Sequence, residues 1–154
     1  MEETELRRVL TAAMGILGRR SLSRKELKTA LEKKKACTDV VERAIQICME
    51  RGYIDEEERA RQIIQSGIRS GHGPLRIQRD LDKRGIPDIL VRKIQGCVSP
   101  EKERAYLAQT ARKKLASIRE DNPLKRKAKL YRFLISRGYP SSDVLDFMNE
   151  MDPD

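Results

Sequence analysis

The sequence predicts an all-α protein of three tandem three-helix repeats, each helix-turn-helix-like, and three observations carry that prediction. Lys, Arg, Glu, Leu, Ile and Ala dominate the 154 residues, Trp is absent and aromatics are 4%, which suits helices better than two-sided sheets. An apolar pair closed by a turn residue recurs: Leu27…Leu31…Lys35, then Ile77…Leu81…Gly85 50 residues later, then Leu130…Leu134…Gly138 after a further 53. A period near fifty residues holds three short helices. Between the helical patterns lie turn signals, the clearest being Gly71-His-Gly-Pro74. The predicted repeats are residues 1–52, 53–98 and 99–154.

In the first repeat, Leu6, Leu10, Ala13 and Leu17 form the apolar stripe of a helix that Gly18-Arg-Arg breaks. Ser23-Arg-Lys-Glu26 has capping-box spacing, and the helix it opens carries Leu27, Ala30 and Leu31. Thr38 or Asp39 then caps a third helix with Val41, Ala44, Ile45 and Cys48 inward. In the second repeat, Asp55-Glu-Glu-Glu58 suits the positive end of a helix that continues through Ala60, Ile63, Ile64, Gly67 and Ile68. Gly71 and Gly73 are expected at backbone angles that a Cβ would hinder, and Pro74 starts the next helix at a place where its missing N–H costs nothing. Gly85 ends that helix, and Pro87-Asp88 opens another with Ile89, Leu90 and Ile94 inward. In the third repeat, Ala108, Ala111, Leu115 and Ile118 line a helix terminated by Asp121-Asn-Pro123. Leu124 to Ser136 and Ser142 to Met151 follow, with Val144, Phe147, Met148 and Met151 as core and Asp152-Pro-Asp154 frayed.

Composition also excludes. The three cysteines, Cys37, Cys48 and Cys97, show no C-x-x-C spacing and His72 is the one histidine, so no metal site is expected. Such scattered cysteines fit a reducing cytoplasm as small buried apolar residues. The uncharged run from Val9 to Gly18 is too short to span a bilayer, so no membrane association is expected. No P-loop is present, Gly71-His-Gly73 lacks the strand of a dinucleotide fingerprint, and no carboxylate pair stands out, so no catalytic residues and no cofactor are expected.

A net charge of +9 points to an acidic partner. The three repeats carry +4, +2 and +3, so any electropositive surface must be assembled by folding. At about 100° per residue, Arg76, Arg79 and Lys83 fall within about 60° of one another, and Lys125, Arg126, Lys129 and Arg132 within about 120°. Aligned on Ile77 and Leu130, Arg76 matches Lys129 and Arg79 matches Arg132, whereas Glu26 and Thr29 hold those places in the first repeat. Arg112, Lys113 and Lys114 face away from Ala111 and Leu115 and extend either stripe. Phe133, inside the second arc, is expected to pack on a neighbouring helix rather than to stack on a base. These ten basic residues are the candidate binding set. Short helices joined by tight turns also build DNA-binding helix-turn-helix modules, so a protein acting alone on duplex DNA is the alternative.

Gly52-Tyr-Ile-Asp-Glu56, Gly71-His-Gly-Pro74 with Ile77…Leu81…Arg84-Gly85, Lys129-Leu-Tyr-Arg-Phe-Leu-Ile-Ser-Arg-Gly-Tyr139 and Ser23-Arg-Lys-Glu-Leu27 together resemble the motifs of the RecX family, regulators of the bacterial RecA recombinase. The resemblance implies an elongated, curved helical array that binds along the groove of a RecA–DNA filament. It implies inhibition of filament growth, ATP hydrolysis, strand exchange and SOS coprotease activity. It further implies a cytoplasmic monomer without a cofactor, whose own contact with single- or double-stranded DNA is weak and non-specific. One departure stands out: the family carries Arg-Phe-Ala where this chain has Glu58-Arg59-Ala60, so an aromatic anchor is missing. Lys35, in the place of Gly85 and Gly138, is a milder one.

Overall fold

A computed structural model describes residues 2–151. The expected fraying of Asp152-Pro-Asp154 lies outside the described residues. Among them the chain forms nine α-helices and no strand: α1 (Glu2–Leu17), α2 (Arg24–Glu32), α3 (Thr38–Glu50), α4 (Glu56–Arg69), α5 (Pro74–Lys83), α6 (Asp88–Gln95), α7 (Pro100–Ser117), α8 (Pro123–Ser136) and α9 (Ser141–Met151). The backbone gathers into two compact units, one of residues 1–62 with 81–91, the other of residues 63–80 with 92–154.

In the first unit α1, α2 and α3 close over Val9, Ala13, Leu22, Leu27, Leu31, Val41, Ala44, Ile45 and Cys48. Val9 and Ala13 are the buried pair on α1, with Leu6, Leu10 and Leu17 packed partly around them, so the stripe is centred one residue from the expected one. Neither Thr38 nor Asp39 caps α3: Cys37 holds that position without a side-chain bond. Its own amide donates to Glu5 Oε1 at 3.2 Å. Of the cysteines only Cys48 is buried, Cys37 and Cys97 being exposed, so the expectation of three buried thiols is corrected.

The capping box at α2 is present: the Glu26 amide donates to Ser23 Oγ and the Ser23 amide to Glu26 Oε1. Glu26 does more. Arg59 donates to both its oxygens at 2.7 and 2.8 Å, and Arg84 reaches Oε2 at 3.1 Å. Arg59 therefore fills the place of the missing aromatic anchor with a forked ion pair. The fully buried Ser23 hydroxyl donates in turn to the carbonyl of Arg84. Burial raises the Glu26 carboxyl, but the bonds from Arg59, from the Ser23 amide and from Arg84, with the Arg59 charge, outweigh it and bring its pKa from 4.5 to about 2.

The second unit has its core in Leu107, Ala111, Leu130, Leu134, Tyr139 and Val144, drawn from α7, α8 and the α8–α9 turn and α9. Leu107, rather than Ala108, is the buried residue of α7 beside Ala111. Asn122 does not terminate α7, which ends at Ser117; it caps α8 through the amides of Leu124 and Lys125. On α6 the buried residues are Val91 and Ile94, while Ile89 is 77% exposed, which reverses its expected role. Met148 packs on the core, but Met151 is exposed.

Gly85 and Gly138 both lie at positive φ, as helix-ending residues do, and Lys35 shares that conformation at φ 58°. Gly73, by contrast, is not at positive φ, so its expected reason is wrong. A Cβ there would lie 2.5 Å from the Gly138 carbonyl carbon and the Tyr139 nitrogen. The glycine is required by close approach of two backbones: the Gly73 amide donates to Arg137 O at 2.7 Å and the Leu75 amide to Gly138 O at 2.9 Å.

Because the Glu26 pKa is depressed, its contribution is present above pH 4.5 and is lost as pH falls through about 2. Glu26→Gln should lower stability at neutral pH by about 3 kcal/mol, the size of that shift. In urea titrations the gap from the parent should close as pH approaches the Glu26 pKa. A gap that does not change with pH would contradict it.

Candidate functional site

A helix face presents a charge to a partner only if nothing within the fold already uses it. On α5, Arg79 is exposed, its Nε 3.4 Å from the Leu75 carbonyl, and Lys83 is exposed at the last turn. Arg76 is half-buried, because its backbone and Cβ lie against the Gly138 turn. Arg76 and Lys129 match in register yet differ in surroundings: Lys129 Nζ lies 3.6 Å from Glu120 Oε2. Arg126 is turned inward, donating to Leu115 O at 2.8 Å and Ile118 O at 3.0 Å. Those carbonyls end α7, where a cation also complements the helix dipole. Lys125 and Arg132 are exposed on α8, and Arg112 and Lys113 on α7.

Lys114 is half-buried, with Nζ 4.7 Å from the centre of the Phe133 ring, and the Arg137 guanidinium is 5.0 Å from the same ring. Phe133 itself packs partly on the core of its unit, as expected. Two cations thus share one aromatic ring. The structure brings Lys113 and Lys114 together with Arg69 and Arg137 around a groove of about 620 Å³. Arg69 and Arg137 were missed by angular reasoning, because they follow the apolar stripes of α4 and α8 rather than lie within them. Their signal was a basic residue at each helix end.

His72 sits in the turn before α5, as expected, with Nδ1 buried and no partner for it among the described residues. Burial lowers its pKa, Arg76 and Arg137 lower it further, and Asp80 opposes them, so the imidazole is held neutral at physiological pH. No group of three or more His, Cys, Asp or Glu among the described residues is placed to hold a metal ion, and no described helix is long and apolar enough to cross a membrane.

A family description, RecX third three-helix domain, matches residues 101–148, which contain α8 and most of α7 and α9. Regulatory protein RecX of Cronobacter sakazakii (strain ATCC BAA-894) is 32% identical over 147 residues, covering 89% of this chain and 88% of its own. Regulatory protein RecX of Chlorobium phaeobacteroides (strain BS1) is 28% identical over 152 residues, or 98% of both chains. The crystal structure of RecX from Lactobacillus salivarius superposes with a TM-score of 0.84 at 18% identity, covering 99% of each chain, a likeness of fold.

The two fates of basic residues on α8 are separable. Arg126→Ala should cost about 1.5–3 kcal/mol, since it strips charge-assisted bonds from two carbonyls at the end of α7. Arg132→Ala should stay within about ±0.5 kcal/mol. Thermal unfolding of the two variants checks this; equal losses would show that Arg126 is no more structural than Arg132.

Proposed function

This chain belongs to the RecX family of regulatory proteins, and from that membership we propose that it binds RecA–DNA nucleoprotein filaments. In this reading it lies along the filament groove and mainly inhibits filament growth, ATP hydrolysis, strand exchange and SOS coprotease activity. It acts as a cytoplasmic monomer, with three-helix repeats of residues 1–52, 53–98 and 99–154 as its units of contact. The function is carried by binding rather than by catalysis. The observation that carries the reading is the set of exposed cations, Arg79, Arg112 and Arg132, none of which is held in an ion pair among the described residues. Charges left in solvent in this way steer a protein toward an acidic partner and are screened by salt.

The triple reversal Arg79→Glu, Arg112→Glu and Arg132→Glu tests it. Each site is exposed, so the variant should keep the parent's helical signal and melt close to it. Inhibition of recombinase ATPase on single-stranded DNA should need at least about tenfold more variant than parent, and the gap should shrink as salt rises. A folded variant that inhibits as well as the parent would overturn the proposed surface. Tight, sequence-selective binding to duplex DNA without recombinase would favour the stand-alone helix-turn-helix alternative instead.

A further inference from the structure

The groove beside Phe133 is built from three stretches of chain far apart in sequence: the end of α4 with its turn, α7 from Tyr106 to Ser117, and the end of α8. Nine of its twelve lining residues have polar side chains and none is acidic. Four are cations, Arg69, Lys113, Lys114 and Arg137, and among the described residues none of the four lies within ion-pair distance of a carboxylate. Like charges gathered in a concave surface repel one another, and a bound polyanion relieves that repulsion while the low-dielectric walls focus the field. Phe133 is not open as a stacking platform, because Lys114 and Arg137 already attend its ring; it fixes where the two cations stand. The Thr110 hydroxyl on the groove wall donates its one proton to the Tyr106 carbonyl and accepts from Tyr139 Oη, so it stiffens the wall rather than donating to a ligand.

We propose that this groove holds the phosphodiester backbone of a single nucleic-acid strand, bound by this chain directly and without regard to base sequence. The proposal rests on the reading of Lys113 and Lys114 as partner-facing and sharpens it: their ligand is phosphate oxygen. Cations held against phosphate oxygens carry no base information, which gives sequence-independent contact. A concave site suits one strand, whose backbone can enter with its bases splayed away, better than the convex surface of a duplex. An acidic protein segment would satisfy the same charges, but its side chains would find most of the lining polar.

The test uses the full chain and a fluorescent mixed-sequence single-stranded oligonucleotide, with no recombinase present, so its outcome is independent of the ATPase experiment. Arg69 and Lys113 are exposed, so Arg69→Glu with Lys113→Glu should leave the fold intact. Affinity at low salt should fall at least about tenfold, and the slope of log affinity against log salt should shrink by about 1.4, about 0.7 for each lost phosphate contact. The control, Arg19→Glu with Arg20→Glu, makes the same change in net charge at exposed residues outside the groove and should stay within about threefold of the parent. Equal losses in the two variants would reduce the effect to net charge and overturn the site. Duplex of the same length bound as tightly as the single strand would overturn the single-strand assignment. Displacement by poly-glutamate as effective as displacement by unlabelled strand would overturn it in favour of an acidic protein segment.

Discussion

The turn that ends a helix in this chain is also the seat on which another helix begins. A helix start carries amides that its own coil cannot satisfy, and a helix end carries carbonyls in the same condition. In the first unit the start of α2 meets the turn after α5: the Ser23 hydroxyl donates to Arg84 O. In the second unit the start of α5 meets the turn after α8: the Gly73 amide donates to Arg137 O. Ser23 and Gly73 are 50 residues apart, Arg84 and Arg137 are 53 apart, so the same seat is used twice in the register of the sequence repeat. A serine hydroxyl does at one what a glycine amide does at the other.

That seat explains the turn residues. A Cβ on Gly85 would lie 2.5 Å from Lys25 Cβ, and one on Gly138 equally close to Arg76 Cβ, so glycine serves both a positive φ and a neighbour's approach. Lys35 has only the first demand: it is exposed and tolerates its left-handed backbone at a cost of about 1–2 kcal/mol. Around the first seat Glu26 adds Arg59 and Arg84 to its own cap, so one carboxylate ties together residues of α2, α4 and the turn after α5. The position that Arg76 occupies against Gly138 is the one Lys25 holds against Gly85. Arg76 is therefore part of the docking contact before it is part of any binding face.

What the sequence made legible was local. The capping box, the Pro74 start and the helix-ending glycines depend on residues within a few positions, and all stand where their chemistry puts them. The all-helical class and the fifty-residue register were legible too. Partners far along the chain were not. Glu26 reads as a cap from its neighbours, while its forked ion pair comes from Arg59, 33 residues on. Gly73 reads as a flexible turn residue, while its constraint comes from Gly138. Helical-wheel angles grouped Arg126 and Lys129 with Arg132 because a wheel sees one helix; the carbonyls of Leu115 and Ile118 and the carboxylate of Glu120 arrive from outside it. The groove around Phe133 needed three segments at once.

Amide hydrogen exchange at Gly73 and Leu75 tests the seat most directly. Both amides stand at the beginning of α5, where no partner within the helix exists for them, and exchange there is ordinarily fast. If the start of α5 rests on the Arg137–Gly138 turn, both amides should be protected to the level of amides in the middle of α8. Exchange at the rate of an unbonded helix start, with α8 still protected, would contradict the account.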